Sequence, residues 1–196
     1  LTHFGDSLYF FIPTILTWAL VKIIKSKNQI INTISEISLF IFLNILLSGI
    51  VTQILKHVIG RPRPVLFNGF EQKSLSIISF DSKWHSFPSG HTATIFAFIF
   101  CMVLLFPKIK NILITVAIII ASTRVIVGAH FISDIFGGAL VAYLSSIFIS
   151  KNLASKKILF TAEGEKLIPN SNVNIISSYI AKVYKNIFSL YLNFNF

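Results

Sequence analysis

Five apolar stretches dominate this 196-residue sequence, and each approaches the length that a helix needs to cross a bilayer. A hydrocarbon core of about 30 Å takes roughly 20 helical residues at about 1.5 Å each. The chain is 54% hydrophobic and 12% charged, about half the charged fraction of a soluble domain, which excludes a soluble or a disordered protein. We predict an all-α fold, a polytopic transmembrane helix bundle whose five spans include residues 8–21, 37–55, 92–106, 112–123 and 135–149.

The lysines give a separate indication of how the spans are oriented. Clusters of lysine follow the first, third and fifth spans, so alternating topology places all of them on one face of the membrane. The positive-inside rule assigns that face to the cytoplasm. The clusters are Lys22, Lys25 and Lys27, then Lys108 and Lys110, then Lys151, Lys156 and Lys157.

The sequence divides into three parts by composition. Residues 1–157 hold the spans. Residues 158–174 contain Gly164, Pro169 and three asparagines, which is typical of a linker. Residues 175–196 carry apolar side chains about every four positions, which predicts an amphipathic C-terminal helix. Because the chain begins at Leu1 within what reads as the entrance to a span, we expect a segment to precede it.

Ionisable residues collect at the ends of three predicted helices on the face opposite the lysine clusters. Cations held at membrane depth are costly and need an anion, and arginine suits the oxygens of a phosphate. The Ser89-Gly90 step before an apolar helix is expected to offer free backbone N–H groups to the same anion. The charged and imidazole groups are Lys56, Arg61, Arg63, His91, Arg124, His130 and Asp134.

Two histidines and one carboxylate in this set could perform phosphoryl transfer. His130 and Asp134 are four residues apart, so on a helix they share a face, and the carboxylate would hold one ring nitrogen protonated. His91 would then act as the proton donor. With only seven acidic residues and no cluster of metal-ligand spacing, we predict chemistry without a metal or another cofactor.

The spacing of these residues resembles the three-part signature of the PAP2 (type 2 phosphatidic acid phosphatase) superfamily. Its parts here are Lys56 with Arg63-Pro64, then Pro88-Ser89-Gly90-His91, then Arg124 with His130 and Asp134. The one departure is Thr123, where the family usually has serine, and a hydroxyl is kept. The resemblance covers residues 56–134 and implies a sixth span in a longer protein.

The resemblance also implies a role for each residue of the signature. His130 would be the nucleophile that forms a phosphohistidine, Asp134 would orient it, and His91 would protonate the leaving oxygen. The remaining five residues would bind the phosphate: Lys56, Arg63, Ser89, Gly90 and Arg124. Arg61, His57, His85 and Lys83 lie outside the signature, and attraction of anionic lipid is a sufficient explanation for them.

The expected function is therefore hydrolysis of a membrane lipid phosphomonoester on the periplasmic side of a bacterial inner membrane. The loop over 65–87 carries Lys73, Lys83 and His85 and could meet a bulky anionic sugar headgroup, which favours lipid A 1-phosphate. Undecaprenyl pyrophosphate and phosphatidylglycerophosphate are alternative substrates, and a lipid phosphotransferase or a non-catalytic binder of anionic lipid are alternative functions. We expect no nucleic acid and no obligate protein partner.

Overall fold

The computed structural model describes residues 6–66, 75–164, 166–179 and 182. Five long helices account for most of this part of the chain, and a further helical stretch, α6, covers residues 171–179. The helical class predicted from the sequence is confirmed. The long helices are α1 (Leu8–Ile24), α2 (Gln29–Ile59), α3 (Gly90–Leu105), α4 (Lys110–Ile126) and α5 (Ile132–Ser155).

Local signals fix the helix ends that matter for the site. The helix α2 ends where Gly60 adopts a left-handed backbone (φ 54°) and donates its N–H to the Lys56 carbonyl at 3.0 Å. A Cβ at position 60 would lie 1.6 Å from the Ser76 carbonyl oxygen, so only glycine fits there. The chain therefore turns sharply after Lys56.

The central helix is α3, which packs against α2, α4 and α5. Its inner face is fully buried at Ala97 and Cys101, and Asn44 of α2 donates its side-chain N–H to the Ala97 carbonyl at 2.8 Å. On the α5 side, a Cβ at Gly138 would lie 2.5 Å from the Ser89 carbonyl oxygen. This close approach places the second turn of α5 directly beside the start of α3.

Three helical segments of the described chain are long and apolar enough to cross a membrane: Gln29–Leu66, Pro107–Ile126 and Ile132–Ser155. The helices α1 and α3 are also apolar but shorter, with 17 and 16 residues. The chain is thus a membrane protein by the length and composition of its helices. The number of five spans stays a prediction.

A β-hairpin lies within the segment predicted as a linker. Strand β1 (Phe160–Glu163) pairs antiparallel with β2 (Lys166–Pro169). Phe160 is fully buried and its ring meets that of Phe40 edge-on, 5.4 Å between centroids. The hairpin is therefore packed on the bundle, a contact between distant residues that the glycine and proline content did not indicate.

The C-terminal helix also begins earlier than the sequence predicted. The structure is helical from residue 171, whereas the apolar periodicity placed the start at residue 175. Asn170 explains the earlier start, because its side-chain oxygen accepts the Val173 N–H at 3.1 Å and its carbonyl accepts that of Asn174. Most of the predicted amphipathic stripe lies outside the described residues.

Candidate active site

The predicted site residues come together at one end of the bundle. Lys56 is in the last turn of α2, Ser89 caps α3, and Asp134 is in the first turn of α5. Two backbone hydrogen bonds join these elements: Ser89 donates to the Asp134 carbonyl at 2.9 Å, and Ser86 donates to the Arg61 carbonyl at 3.0 Å. The three parts of the sequence signature therefore lie at one end of the fold.

Asp134 is fully buried and accepts hydrogen bonds on both carboxylate oxygens. Its Oδ1 is 2.7 Å from Nη1 of Arg61, and its Oδ2 accepts from the Ser86 hydroxyl at 2.6 Å and the Phe131 N–H at 2.9 Å. A carboxylate held by charge-assisted and backbone donors is both ionised and fixed in position. Asp134 is thus the best-anchored ionisable group of the site.

His130 lies in the short connection between α4 and α5, one turn before Asp134. Its ring is nearly fully buried, and its Nδ1 is 3.5 Å from Oδ2 of Asp134, slightly beyond a hydrogen bond. The expectation that both residues share one helical face was wrong, because α5 begins only at Ile132. The two side chains nevertheless lie close together. The connection that carries His130 is held in place, because the His130 N–H donates to the Arg124 carbonyl at 3.2 Å.

The surroundings of His130 keep its ring neutral. Burial lowers the pKa of the His130 imidazole below its ordinary value, and the Asp134 carboxylate opposes that shift. The positive charges of Lys56 and Arg63 lower the pKa further. A neutral imidazole whose Nδ1 faces a carboxylate has its Nε2 lone pair available as a nucleophile or base.

Two cationic side chains, Lys56 and Arg63, act electrostatically on His130. Lys56 is buried and its Nζ donates to the His85 carbonyl at 2.7 Å, while Arg63 donates from Nε to the Ser82 carbonyl at 3.0 Å. The charge of Arg63 acts on Lys56, on His130 and on Arg124. The predicted phosphate-binding cations Lys56, Arg63 and Arg124 are therefore close enough for the charge of Arg63 to act on the other two.

Ser89 and Gly90 occupy the start of α3 as predicted, with one difference. The Ser89 hydroxyl accepts from the Thr92 N–H at 3.4 Å and from the Thr92 hydroxyl at 3.1 Å, so it caps the helix. Its N–H is bound to the Asp134 carbonyl. The expectation of a free N–H at Ser89 was wrong, because the close approach of α5 supplies an acceptor. Gly90 lies against Lys56, whose Cε would be 3.8 Å from a Cβ there.

The two site histidines line neighbouring but different concavities. His130 lines an open one of about 470 Å³ together with Arg61, Gly128 and Phe131. His91 is half-buried and lines another of about 290 Å³, between α1, α2 and α3. The positive charge of Lys56 acts on both histidine rings, so they share one electrostatic environment near the start of α3.

Two residues that anchor the site were not assigned to it from the sequence. Arg61 pairs with Asp134, donates to the Ser133 hydroxyl at 2.6 Å, and lies over the Phe131 ring with its guanidinium carbon 4.4 Å from the ring centroid. Ser86 donates to Asp134 across 48 residues of sequence. The sequence offers a signal that could have assigned Arg61 to the site, because this residue lies between Gly60 and Pro62, beside the first part of the signature. No comparable signal marks Ser86.

The side chains of His57 and His85, which the sequence also left open, make their described hydrogen bonds outside this set of contacts. His57 has its Nδ1 2.8 Å from the Gln53 carbonyl of its own helix, and its ring contacts the tilted His85 ring with 4.4 Å between the centroids. His85 meets the site only through its carbonyl, which binds Lys56. Within the described ranges, no group of three or more His, Cys, Asp or Glu side chains could hold a metal ion.

Comparison with known proteins identifies the family of the chain. Residues 38–157 match the model of the PAP2 superfamily. The chain is 35% identical over 167 residues to a lipid A 1-phosphatase of Rhizobium johnstonii, covering 82% of this chain and 68% of the relative. It is 37% identical over 145 residues to a lipid A 1-phosphatase of Rhizobium etli, covering 70% of this chain and 62% of the relative.

No solved structure matches the chain significantly. The family match covers more than half of the sequence and includes all three parts of the signature, from Lys56 to Asp134. The two relatives each exceed 30% identity over most of the chain. The chain therefore belongs to the PAP2 superfamily of phosphatases.

Proposed function

We propose that this protein hydrolyses a membrane lipid phosphomonoester without a metal, through a phosphohistidine at His130. The observation that carries the proposal is the anchoring of Asp134 beside the His130 ring, with the charges of Lys56 and Arg63 acting on that ring. A fixed carboxylate, an imidazole and clustered cations are the groups that phosphoryl transfer requires when protein charges replace a metal.

The first step transfers the phosphoryl group to the enzyme. Nε2 of His130 attacks phosphorus while Nδ1 keeps its proton toward Asp134, and the bond from phosphorus to the lipid oxygen breaks. Burial and nearby cations lower the pKa of His91 and disfavour its protonated form, so His91 takes up its proton when the anionic substrate binds and then gives it to that leaving oxygen. The products of the step are a lipid alcohol and a phosphohistidine, with His91 left neutral.

The second step regenerates the enzyme. Water attacks the phosphohistidine, neutral His91 takes one proton from that water, and the bond between nitrogen and phosphorus breaks. Inorganic phosphate leaves, His130 regains its lone pair, and His91 is protonated again. Lys56, Arg63 and Arg124 would neutralise charge on the equatorial phosphate oxygens in both steps. Ser89 and Gly90, at the start of α3, would form the part of the phosphate site that lies next to Lys56.

Lipid A 1-phosphate is the substrate that we propose. Both relatives described above are named lipid A 1-phosphatase. The described end of the loop over 65–87 contacts the cations of the site, because the Lys83 carbonyl accepts the Arg63 N–H and the His85 carbonyl accepts Nζ of Lys56. The lysine side chain at position 83 suits an anionic sugar headgroup. The proposed setting is a bacterial inner membrane, with the site on the periplasmic face and the lysine clusters on the cytoplasmic face.

The substrate is tested by phosphate release from the purified protein in detergent with excess EDTA. The panel contains lipid A, phosphatidic acid, phosphatidylglycerophosphate and undecaprenyl pyrophosphate, with and without an added alcohol or lipid acceptor. The highest kcat/KM is expected for lipid A, with loss of its 1-phosphate. A higher value for another lipid reassigns the substrate, and labelled phosphate on the acceptor reassigns the reaction to transfer.

Substitution of Arg124 by lysine tests the cationic phosphate site. We expect kcat/KM to fall by about 10- to 100-fold although the charge is kept, because an ammonium cannot replace the bidentate contact of a guanidinium. Vanadate imitates the five-coordinate transition state, so it should inhibit the parent competitively and Arg124→Lys more weakly. Indifference of the parent to vanadate, or dependence of its activity on added Mg²⁺, would contradict the site.

The orientation in the membrane is tested by labelling an introduced cysteine. Ile77 lies in the loop beside the site and is 71% exposed, whereas the native Cys101 is fully buried and gives a low background. With Ile77→Cys, an impermeant thiol reagent should label cells whose outer membrane alone is permeabilised. The matched variant Lys156→Cys, at the other end of α5, should react only after the inner membrane is broken. The reverse pattern would overturn the orientation.

A further inference from the structure

An apolar groove opens between α4 and α5 beside the site. It encloses about 530 Å³, and Phe96 of α3 contributes to its lining. The helices α4 and α5 each pack on the rest of the bundle, but they touch one another at few positions. The walls are Ile118, Ser122 and Val125 on α4, and Ile132, Phe136 and Ala139 on α5.

The spacing of the wall residues shows that the groove runs along the helices. On each helix the lining positions recur every three or four residues, so they form one stripe parallel to the helix axis. Ser122 does not make the wall polar, because its hydroxyl donates to the Ile118 carbonyl of its own helix at 2.8 Å. The groove is thus an apolar channel directed toward the bilayer core.

The groove is continuous with the concavity that holds His130. Val125 and Ile132 line both, one from the last turn of α4 and the other from the start of α5. At that shared end the lining changes from apolar side chains to Arg61 and His130. A molecule with a phosphate at His130 and a hydrocarbon chain would find a matching surface for each part.

The other concavity at the site does not offer this match. Around His91 the lining includes Asp6, Thr52 and Gln53, so a hydrocarbon chain there would remove polar groups from water without replacing their hydrogen bonds. In the groove between α4 and α5 a hydrocarbon chain would contact apolar side chains and Ser122, whose hydroxyl is already hydrogen-bonded, so no polar group would lose its partner.

We infer that the groove between α4 and α5 binds an acyl chain of the lipid whose phosphate is cleaved at His130. This inference rests on the proposed function and extends it, since it makes chain binding by this protein part of substrate recognition. If bulk bilayer lipid alone filled the groove, narrowing it would affect the turnover of a long-chain and of a short-chain substrate equally.

The test narrows the groove with a large side chain. Ala139→Trp places an indole between the two helices, and the matched control Leu140→Trp adds the same group at the next position, which is 57% exposed and outside the groove. The parent and each variant are assayed in detergent with lipid A and with a synthetic lipid A 1-phosphate analogue that carries hexanoyl chains, which are too short to fill the groove.

Ala139→Trp should lower kcat/KM for the long-chain lipid by about tenfold or more and for the short-chain analogue by less than about twofold, with Leu140→Trp near parent values on both. Retained short-chain turnover also reports that the variant is folded. A milder variant, Ala139→Leu, should show the same selectivity to a smaller degree.

Equal losses on both substrates in Ala139→Trp and Ala139→Leu, or no loss in either, would overturn the inference and leave the groove to bilayer lipid. If the parent releases no phosphate from either lipid, the proposed function fails and the inference fails with it. The two failures are therefore distinguished by the parent protein alone.

Discussion

Replacement of His130 by glutamine is expected to reduce phosphate release by at least about a thousandfold while the protein stays folded. Glutamine keeps a polar side chain of similar length but has no lone-pair nitrogen for attack on phosphorus. Loss of a nucleophile commonly leaves only the rate that electrostatic stabilisation and substrate binding supply. The fold should survive, because the described contacts of His130 run mainly through its backbone N–H.

The measurement is single-turnover phosphate release by detergent-purified protein, with elution volume and thermal midpoint as checks of folding. His57→Gln is the matched control, since the described contacts of the His57 side chain are to its own helix and to two neighbouring rings, those of Phe80 and His85. A His130→Gln variant that keeps more than about a tenth of parental turnover would exclude His130 as the nucleophile.

Asp134→Asn is expected to give the second-largest loss, about a hundredfold to ten-thousandfold in kcat. The amide cannot accept from Arg61, Ser86 and the Phe131 N–H as the carboxylate does, and it no longer stabilises a protonated Nδ1 on His130. Both the geometry of the site and the nucleophile are therefore affected. Asp81→Asn is the matched control, because asparagine at that exposed position can still accept the Lys83 N–H.

The pH profile separates a positioning role of Asp134 from a merely structural one. Asp134 raises the pKa of His130 against the lowering by burial, so its neutralisation should lower that pKa further. The acidic limb of kcat/KM, where His130 becomes protonated, should then move to lower pH in the residual activity of Asp134→Asn. An unchanged limb together with a simple loss of folded protein would show that Asp134 serves stability alone.

The sequence allowed the outline of the site to be predicted because its determinants are local. Lys56 and Arg63 lie on either side of the end of α2, and His130 and Asp134 are four residues apart at the start of α5, so spacing alone places each group near its neighbours. The positions of the apolar stretches then bring the end of α2 and the starts of α3 and α5 to the same end of the bundle. The structure agrees with the sequence at this scale.

The contacts that fix the site are between distant residues, and for that reason they were not predicted. Arg61 meets Asp134 across 73 residues, and Ser89 gives its N–H to the Asp134 carbonyl only because Gly138 lets α5 approach α3. Neither contact leaves a periodic pattern in the sequence. The hairpin at Phe160–Glu163 is similar, since its packing on Phe40 could not be inferred from a segment rich in turn residues.

The central claim is tested most directly by trapping the phosphorylated enzyme. The purified protein is mixed with ³²P-labelled lipid phosphate in EDTA, quenched in alkali within the first turnover, and digested for mass spectrometry. The account predicts label on the peptide that contains His130, stable to alkali, lost in acid, and missing from His130→Gln. Turnover of the lipid with no protein-bound label, or label on another residue, would contradict it.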